Sequence, residues 1–266
     1  MSRLLDPDFL LTDHYKDASN LNARIQLHQR FSTNKQGWNR WVFDQLNLPP
    51  DCRVLELGCG PGNLWRENLD RVPGGWEITL TDFSPGMLQQ ARENLGSGPR
   101  FEFEVVDAQS IPYDDAGFDA VVANHMLYHV PDRAKALGEI QRVLRAGGRL
   151  YASTVGQVHM QELYEITDRF DLEGKLEHTA PPFTLENGQE ELSQWFSQVT
   201  LRRYEDDLVI TEVEPLVAYI LSLAQARSVL AGDRLAQLIE YAEQEIHTHG
   251  AIYITKDSGL FEALLG

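Results

Sequence analysis

Residues 54–63 read VLELGCGPGN, an apolar run that breaks without a linker into a turn carrying Gly58, Gly60 and Gly62. RVLEL (53–57) has the near-continuous apolar character of a buried strand. Glycines directly after it let the chain turn tightly and let its backbone approach a ligand where a Cβ would collide. A ligand-free tight turn is the plain alternative while the glycines stand alone. Further along, WEITLTD (76–82), FEFEVVD (101–107), FDAVVAN (118–124) and GRLYAST (148–154) repeat the strand signal, with helix-forming stretches between them. Five strands alternating with helices predict an α/β, doubly wound sheet. Residues 84–95 open with a cap-like Ser84 and Pro85 at the first helical position. Residues 131–144 carry apolar residues at helical spacing and end before a Gly147-Gly148 stop.

The flanks differ. Residues 21–46 form helices with a break near Ser32, and Trp38, Trp41, Val42 and Leu46 share one face. They are expected to pack on the sheet edge or over its mouth. After residue 155 the pattern turns irregular: a helical stretch, a turn-rich stretch, a helix at ENGQEELSQWF, one strand or two at VTLRRYEDDLVI, two amphipathic helices, and a closing strand at GAIYITKDSGLFEAL. The expected organisation is a helical lid over 1–50, a ligand-binding core over 51–155, and cap helices with closing strands over 156–266.

Composition bounds the function. A chain of 266 residues with 42% hydrophobic content can bury a core. Its 23 Lys and Arg against 40 Asp and Glu give a net charge of −17, which repels phosphate backbones and anionic membranes. No nucleic-acid or membrane partner is expected, and a small-molecule substrate is. Asp interrupts the apolar residues of the first twenty positions, and no later apolar run is long enough to span a bilayer, so the expected location is cytoplasmic. Cys52 and Cys59 flank the first strand, and both read as reduced thiols.

The glycine turn does not fit a dinucleotide. In G-x-G-x-x-G/A, the frame from Gly58 ends on Asn63 and the frame from Gly60 on Trp65. Nor is there the G-x-x-x-x-G-K-S/T of a phosphate loop. Asp82 ends the second strand 20 residues after Gly62, where a carboxylate accepts from both ribose hydroxyls. Asp107 ends the third strand and faces the same crevice.

Taken in order, VLELGCGPG, TDFSPGMLQQAR, VVDAQSIPYDDAGFDAVVANHMLYHVPD and EIQRVLRAGGRLYAST resemble the class I S-adenosylmethionine-dependent methyltransferases, especially the small-molecule enzymes of the ubiquinone/menaquinone-biosynthesis-like group. The resemblance covers about residues 50 to 155. It implies a Rossmann-like sheet of seven strands, mostly parallel with one antiparallel, a helical lid and a helical cap insertion. It implies S-adenosyl-L-methionine as cofactor, S-adenosyl-L-homocysteine as product, and methyl transfer to O, N or C of a small acceptor. Carried over residue by residue, it gives Glu56 and the backbone of Gly58, Cys59 and Gly60 to the methionine end of the cofactor, and Asp82 to the ribose. Phe83 and Met87 flank the adenine, Asp107 accepts from its amine, and the Ala108 amide meets a ring nitrogen. The Asn124 carbonyl region, with His125 beside it, receives the ammonium. Tyr15 and Arg30 resemble lid residues, with Arg30 toward the cofactor carboxylate. A packing role fits Phe83 and Met87 as well, and a surface-helix role fits Arg30.

The methyl of a sulfonium is electrophilic, so the protein has chiefly to align an acceptor and exclude water. His129 is the candidate base, with a helix-capping role as its alternative. NHMLYHV (124–130) sets His125 and His129 four apart, a zinc-like spacing, but Pro131 disfavours a helix there and Met126 stands where H-E-x-x-H has its glutamate. No metal is expected. A noncatalytic protein that binds the cofactor or its demethylated product is the alternative function, and a nicotinamide oxidoreductase a weaker one. Aromatic cap residues Tyr164, Phe170, Phe183, Trp195 and Tyr219 fit either an acceptor pocket or a cap core.

Overall fold

The structure, a computed structural model, describes residues 18–96, 98, 100–171, 181–223 and 226–266. Tyr15 therefore lies outside the described residues. In chain order the elements are α1 (Ala18–Phe31), α2 (Trp38–Gln45), β1 (Asp51–Leu57), α3 (Asn63–Arg66), β2 (Gly75–Asp82), α4 (Pro85–Leu95), β3 (Phe101–Val105), β4 (Phe118–Asn124), α5 (Arg133–Val143) and β5 (Leu144–Val155). There follow α6 (Gln161–Asp168), α7 (Gly188–Leu192), β6 (Gln198–Tyr204), β7 (Asp207–Ile210), α8 (Val213–Leu221), α9 (Ala226–Val229), α10 (Asp233–His249), β8 (Ile252–Thr255) and β9 (Ser258–Leu264).

Seven strands form one sheet in the order β3-β2-β1-β4-β5-β9-β6. β9 pairs antiparallel with both β5 and β6, and the remaining pairs are parallel. This is the Rossmann-like sheet, mostly parallel with one antiparallel strand. Its order reverses between β1 and β4, so a crevice opens beyond their carboxyl ends, where open α/β sheets place ligands. Both strands are buried on two faces, which explains their unbroken apolar sequence. Leu55, Leu57, Val121 and Ala123 enter one core layer, while Val54, Ala120 and Val122 enter the other. Side chains alternate along a strand, so each fully buried leucine or valine adds about 1.5–3 kcal/mol to one layer.

The crossover helices start where their caps dictate. Ser84 Oγ accepts from the Met87 amide at 3.4 Å, and the inner face of α4 buries Met87, Leu88 and Ala91. Asp132 Oδ1 accepts from the Lys135 amide at 3.0 Å, and α5 buries Ala136, Leu137, Ile140 and Val143. α5 ends at Val143 without using Gly147-Gly148 as its stop. β5 begins at Leu144, and those glycines lie in a register shift, where Phe118 pairs with Leu144 but Ala120 with Arg149. Gly147, at φ +73°, supplies a bulge.

The cap is not wholly helical. VTLRRYEDDLVI divides into β6 in the main sheet and β7 outside it, and the expected closing strand divides into β8 and β9. β7 and β8 make an antiparallel two-stranded ribbon. The lid divides as well. Leu27 and Phe31 of α1 join Leu163, Leu208, Leu216, Leu238 and Ile254 in a cap core, whereas Val42 and Phe43 of α2 pack against the β1–β2 face. No described helix is long and apolar enough to cross a membrane.

Candidate active site

A cavity of about 670 Å³ lies over the carboxyl ends of β1 to β5, between the central sheet, α1 with the start of α2, and residues of the elements after 155. The glycine turn forms one wall. Gly58 and Gly60 have φ of +67° and +53°, a region costly for a side chain with a Cβ. A Cβ on Gly58 would stand 2.7 Å from Met126 Cβ, so the loop leaving β4 approaches the turn too closely for any larger residue. At Gly60, apart from its chain neighbours, no atom of the described residues lies within 4 Å of where the Cβ would be. Gly60 lines the cavity, so its missing side chain leaves room for a ligand.

Two carboxylates stand at the turn. Asp82, at the end of β2, accepts from the Gly60 amide through Oδ2 and from the Ser84 amide through Oδ1, both at 2.8 Å. These bonds aim it at the cavity and leave lone pairs on each oxygen. Its pKa is raised by burial, against the pull of the two amides. Glu56 is 1% exposed and accepts from the Trp65 indole at 2.5 Å. Burial pushes its pKa up to about 8; the indole bond opposes this and the Asp82 charge adds to it. A buried acid beside a second acid awaits a cationic or hydrogen-donating ligand.

The ends of β3 and β4 complete this half. Asp107 is held by the Gln109 amide at 2.8 Å, beside the buried Ala108. Phe83 is 43% exposed, which removes a core role for its ring, while Met87 is both buried against the sheet and exposed to the cavity lining. Asn124 Oδ1 accepts from Ser153 Oγ at 2.6 Å and from the Trp38 indole at 3.2 Å. Ser153 Oγ accepts in turn from the His125 amide at 2.9 Å. Cys59 lines the turn as a buried free thiol, its pKa raised by burial, and Cys52 is likewise a buried free thiol.

No helix runs through NHMLYHV. His125 is left-handed at φ +54°, and a single 3₁₀ turn spans Leu127–His129. Among the described residues, no group of three or more His, Cys, Asp or Glu is arranged to hold a metal. His125 is neutral, its pKa lowered to about 4 by burial and then by Lys256 and His129. His129 ends the turn and lines the cavity with Tyr128.

The structure brings Glu56, Gly58, Cys59, Gly60, Asp82, Phe83, Met87, Asp107, Ala108, Asn124, His125 and His129 to one cavity. It does not bring Arg30 there. The Arg30 guanidinium is about half exposed and pairs with Glu212, because its position on α1 points away from the face that meets the cavity. That face carries Arg24, Ile25, His28 and Gln29, and Ser32 joins them just past the helix end. Their helical spacing is visible in the sequence, although its direction is not. Of the cap aromatics only Tyr219 lines the cavity. Phe183 is fully buried against Phe261 and Trp195 packs beside Gly138. Sequence reasoning also missed Trp38, His159 and Lys256, all in the lining.

Residues 55–152 match the family described as a methyltransferase domain. The ubiquinone/menaquinone biosynthesis C-methyltransferase UbiE of Hahella chejuensis is 35% identical over 116 residues, 42% of this chain and 47% of that protein. The demethylmenaquinone methyltransferase of Clavibacter sepedonicus is 38% identical over 98 residues, 37% of this chain and 39% of that protein. The chain thus spans about half the length, or less, of the curated relatives it matches. Among solved structures, a phosphoethanolamine N-methyltransferase of Haemonchus contortus has a TM-score of 0.60 at 18% identity, over 97% of this chain and 59% of that one. A methyltransferase-like protein of Bacillus halodurans has a TM-score of 0.55 at 15% identity, over 85% of this chain and 97% of that one. These likenesses concern the fold alone. Over residues 55–152 the chain thus carries the match to a methyltransferase domain, and in that stretch it is similar to the ubiquinone/menaquinone C-methyltransferases.

Proposed function

We propose that this chain binds S-adenosyl-L-methionine across the ends of β1 to β4 and transfers its methyl group in line to a small-molecule acceptor. The observation that carries the reading is the pairing of an open Gly60 cradle with the Asp82 carboxylate bonded across it. The bound cofactor supplies an electrophilic methyl on a sulfonium. Glu56 and the turn backbone would hold its methionine end, with Asn124 and His125 beside the ammonium. Asp82 would accept from the ribose hydroxyls, Phe83 and Met87 would flank the adenine, and Asp107 and Ala108 would meet its edge. On this reading residues 51–155 hold the cofactor, the helices before residue 50 form the lid, and the elements after 156 supply the cap and the closing strands.

His129 stands in the wall beyond Asn124, as the residue to take a proton from an acceptor that carries one. Much of the catalysis comes from orientation and exclusion of water under the lid. The relatives named as C-methyltransferases support carbon as an acceptor atom. The domain match ends at residue 152, before the cap that lines the other half of the cavity. Calorimetry with S-adenosyl-L-methionine and S-adenosyl-L-homocysteine, followed by transfer assays on a metabolite panel, tests the reading. Micromolar binding with turnover on one acceptor supports it, binding without any transfer favours the noncatalytic alternative, and no binding sinks both.

A further inference from the structure

The cavity divides by charge. Its acids, Glu56, Glu67, Asp82 and Asp107, all stand at the ends of β1 to β3 or just past the glycine turn. Its bases face them from the lid and the cap: Arg24, Lys35 and Lys256. In a chain with 40 acidic residues against 23 basic ones, a cavity wall lined by bases and no acids runs against composition. A cationic cofactor favours the acidic wall, so the basic wall is left to the acceptor.

Two groups on that wall are held as fixed donors. The Lys256 ammonium pairs with Asp206, whose fully buried side chain also accepts from Ser32 Oγ, Thr33 Oγ1 and the Asn34 amide. Lys256 Nζ lies 3.4 Å from Ser32 Oγ and 5.5 Å from the centre of the Tyr204 ring, and the residue lines the cavity with one hydrogen not taken by an oxygen of the protein. His159 Nδ1 accepts from the Asp257 amide at 3.1 Å, which puts the ring proton on Nε2. His159 is kept neutral, its pKa lowered to about 3 by burial, then by Lys256 and His125. His28 is lowered well below its usual value, again by burial first and Lys256 second. His159 therefore donates through Nε2 without adding charge, and His28 beside it stays neutral.

We infer that the acceptor is a small molecule bearing a carboxylate, seated on Lys256 and His159 at the cap side of the cavity. The inference rests on the proposed function for what fills the acidic wall. A carboxylate suits the site better than a phosphate dianion: it brings one charge rather than two, and its two oxygens can accept from Lys256 and from His159 Nε2–H. Tyr219 and Val155, also in the lining, offer apolar surface to the rest of the molecule.

The test uses the full chain, with and without S-adenosyl-L-homocysteine, titrated calorimetrically with matched pairs: benzoate and benzamide, phenylacetate and phenylacetamide, and phenyl phosphate. At least one carboxylate is expected to bind tenfold tighter than its amide. That preference is expected to fall below twofold in Lys256→Gln and in His159→Phe, while S-adenosyl-L-homocysteine binds both variants as it binds the parent. The latter binding certifies the fold of each variant, and its loss in the parent would count against the proposed function alone. The inference is overturned if no carboxylate is preferred to its amide, if the preference survives in either folded variant, or if phenyl phosphate outbinds every carboxylate.

Discussion

The Trp38 indole donates to Asn124 Oδ1 at 3.2 Å, so one hydrogen bond ties the first residue of α2 to the last residue of β4. Its ring also lies 4.8 Å from the His125 ring. Ser153 extends the link to β5, and lid position is thereby coupled to the residues assigned to the methionine end of the cofactor. Trp38→Phe keeps an aromatic ring but removes the donor, at a net cost of about 1 kcal/mol. Calorimetry should show cofactor binding weakened about fivefold. Unchanged affinity would mean that the link does not contribute to closure.

On the proposed reading, Glu56 should give cofactor binding a pH dependence. Its folded pKa is about 8, against about 4.3 unfolded. A carboxyl so raised contributes stability that is complete below the unfolded value and lost as pH rises through 8. The cofactor ammonium favours the ionised form, so binding should release a proton at pH 7 and tighten as pH rises toward 8. Titrations in buffers of different ionisation enthalpy measure the proton, and Glu56→Gln should abolish its release.

Gly58 and Gly60 should respond differently to alanine. Both conformations penalise a Cβ by about 1–2 kcal/mol, but only at Gly58 does the new atom also strike protein, at Met126. Gly58→Ala should lower the thermal midpoint more. Gly60→Ala should lose more cofactor affinity, by tenfold or above, because its Cβ enters the ligand space. Equal effects on both quantities would count against the cradle.

Asp206 holds three residues of the α1–α2 connection and Lys256 together inside the protein. Asp206→Asn would leave a buried ammonium uncompensated, a loss of about 3–5 kcal/mol. Urea unfolding should show it, and Lys256→Met added to the same chain should restore part. The carboxyl is held below its usual range: burial opposes this, but the Asn34 amide, Lys256 and Ser32 together outweigh it. Its contribution is present above the unfolded value near 3.9 and is lost as pH falls through the lower folded one.

His129 separates proton transfer from shape. His129→Asn should lower methyl transfer at least a hundredfold if the acceptor carries the proton in question, with cofactor affinity within twofold. Turnover equal to the parent would remove His129 from the chemistry.

The central sheet was legible because β1 and β4 are buried on both faces, which leaves an apolar run no surface helix would show. Ser84 and Pro85 placed α4 correctly through local chemistry alone. The half of the cavity at the strand ends was legible for the same reason: its residues end strands and sit in one turn. The half lined by the elements after residue 155 was not. His159 and Lys256 are far apart in the chain and meet because Val155 pairs with Ser258 across β5 and β9, a register no local pattern states. IYITKDSGLFEAL reads as one strand because nothing in its alternation says that its halves pair with different sheets. Arg30 and Arg24 stand on one helix, and only the packing of Leu27 into the cap decides which of them faces inward.

The position of β9 has a consequence for synthesis. It lies between β5 and β6, and β6 has no other neighbour in the sheet. A nascent chain that already contains β6 therefore carries an unpaired strand, and β5 an open edge, until residues 258–264 leave the ribosome. Such edges invite pairing with other chains. The interval between the emergence of β6 and that of β9 is when the sheet offers its longest unpaired edges.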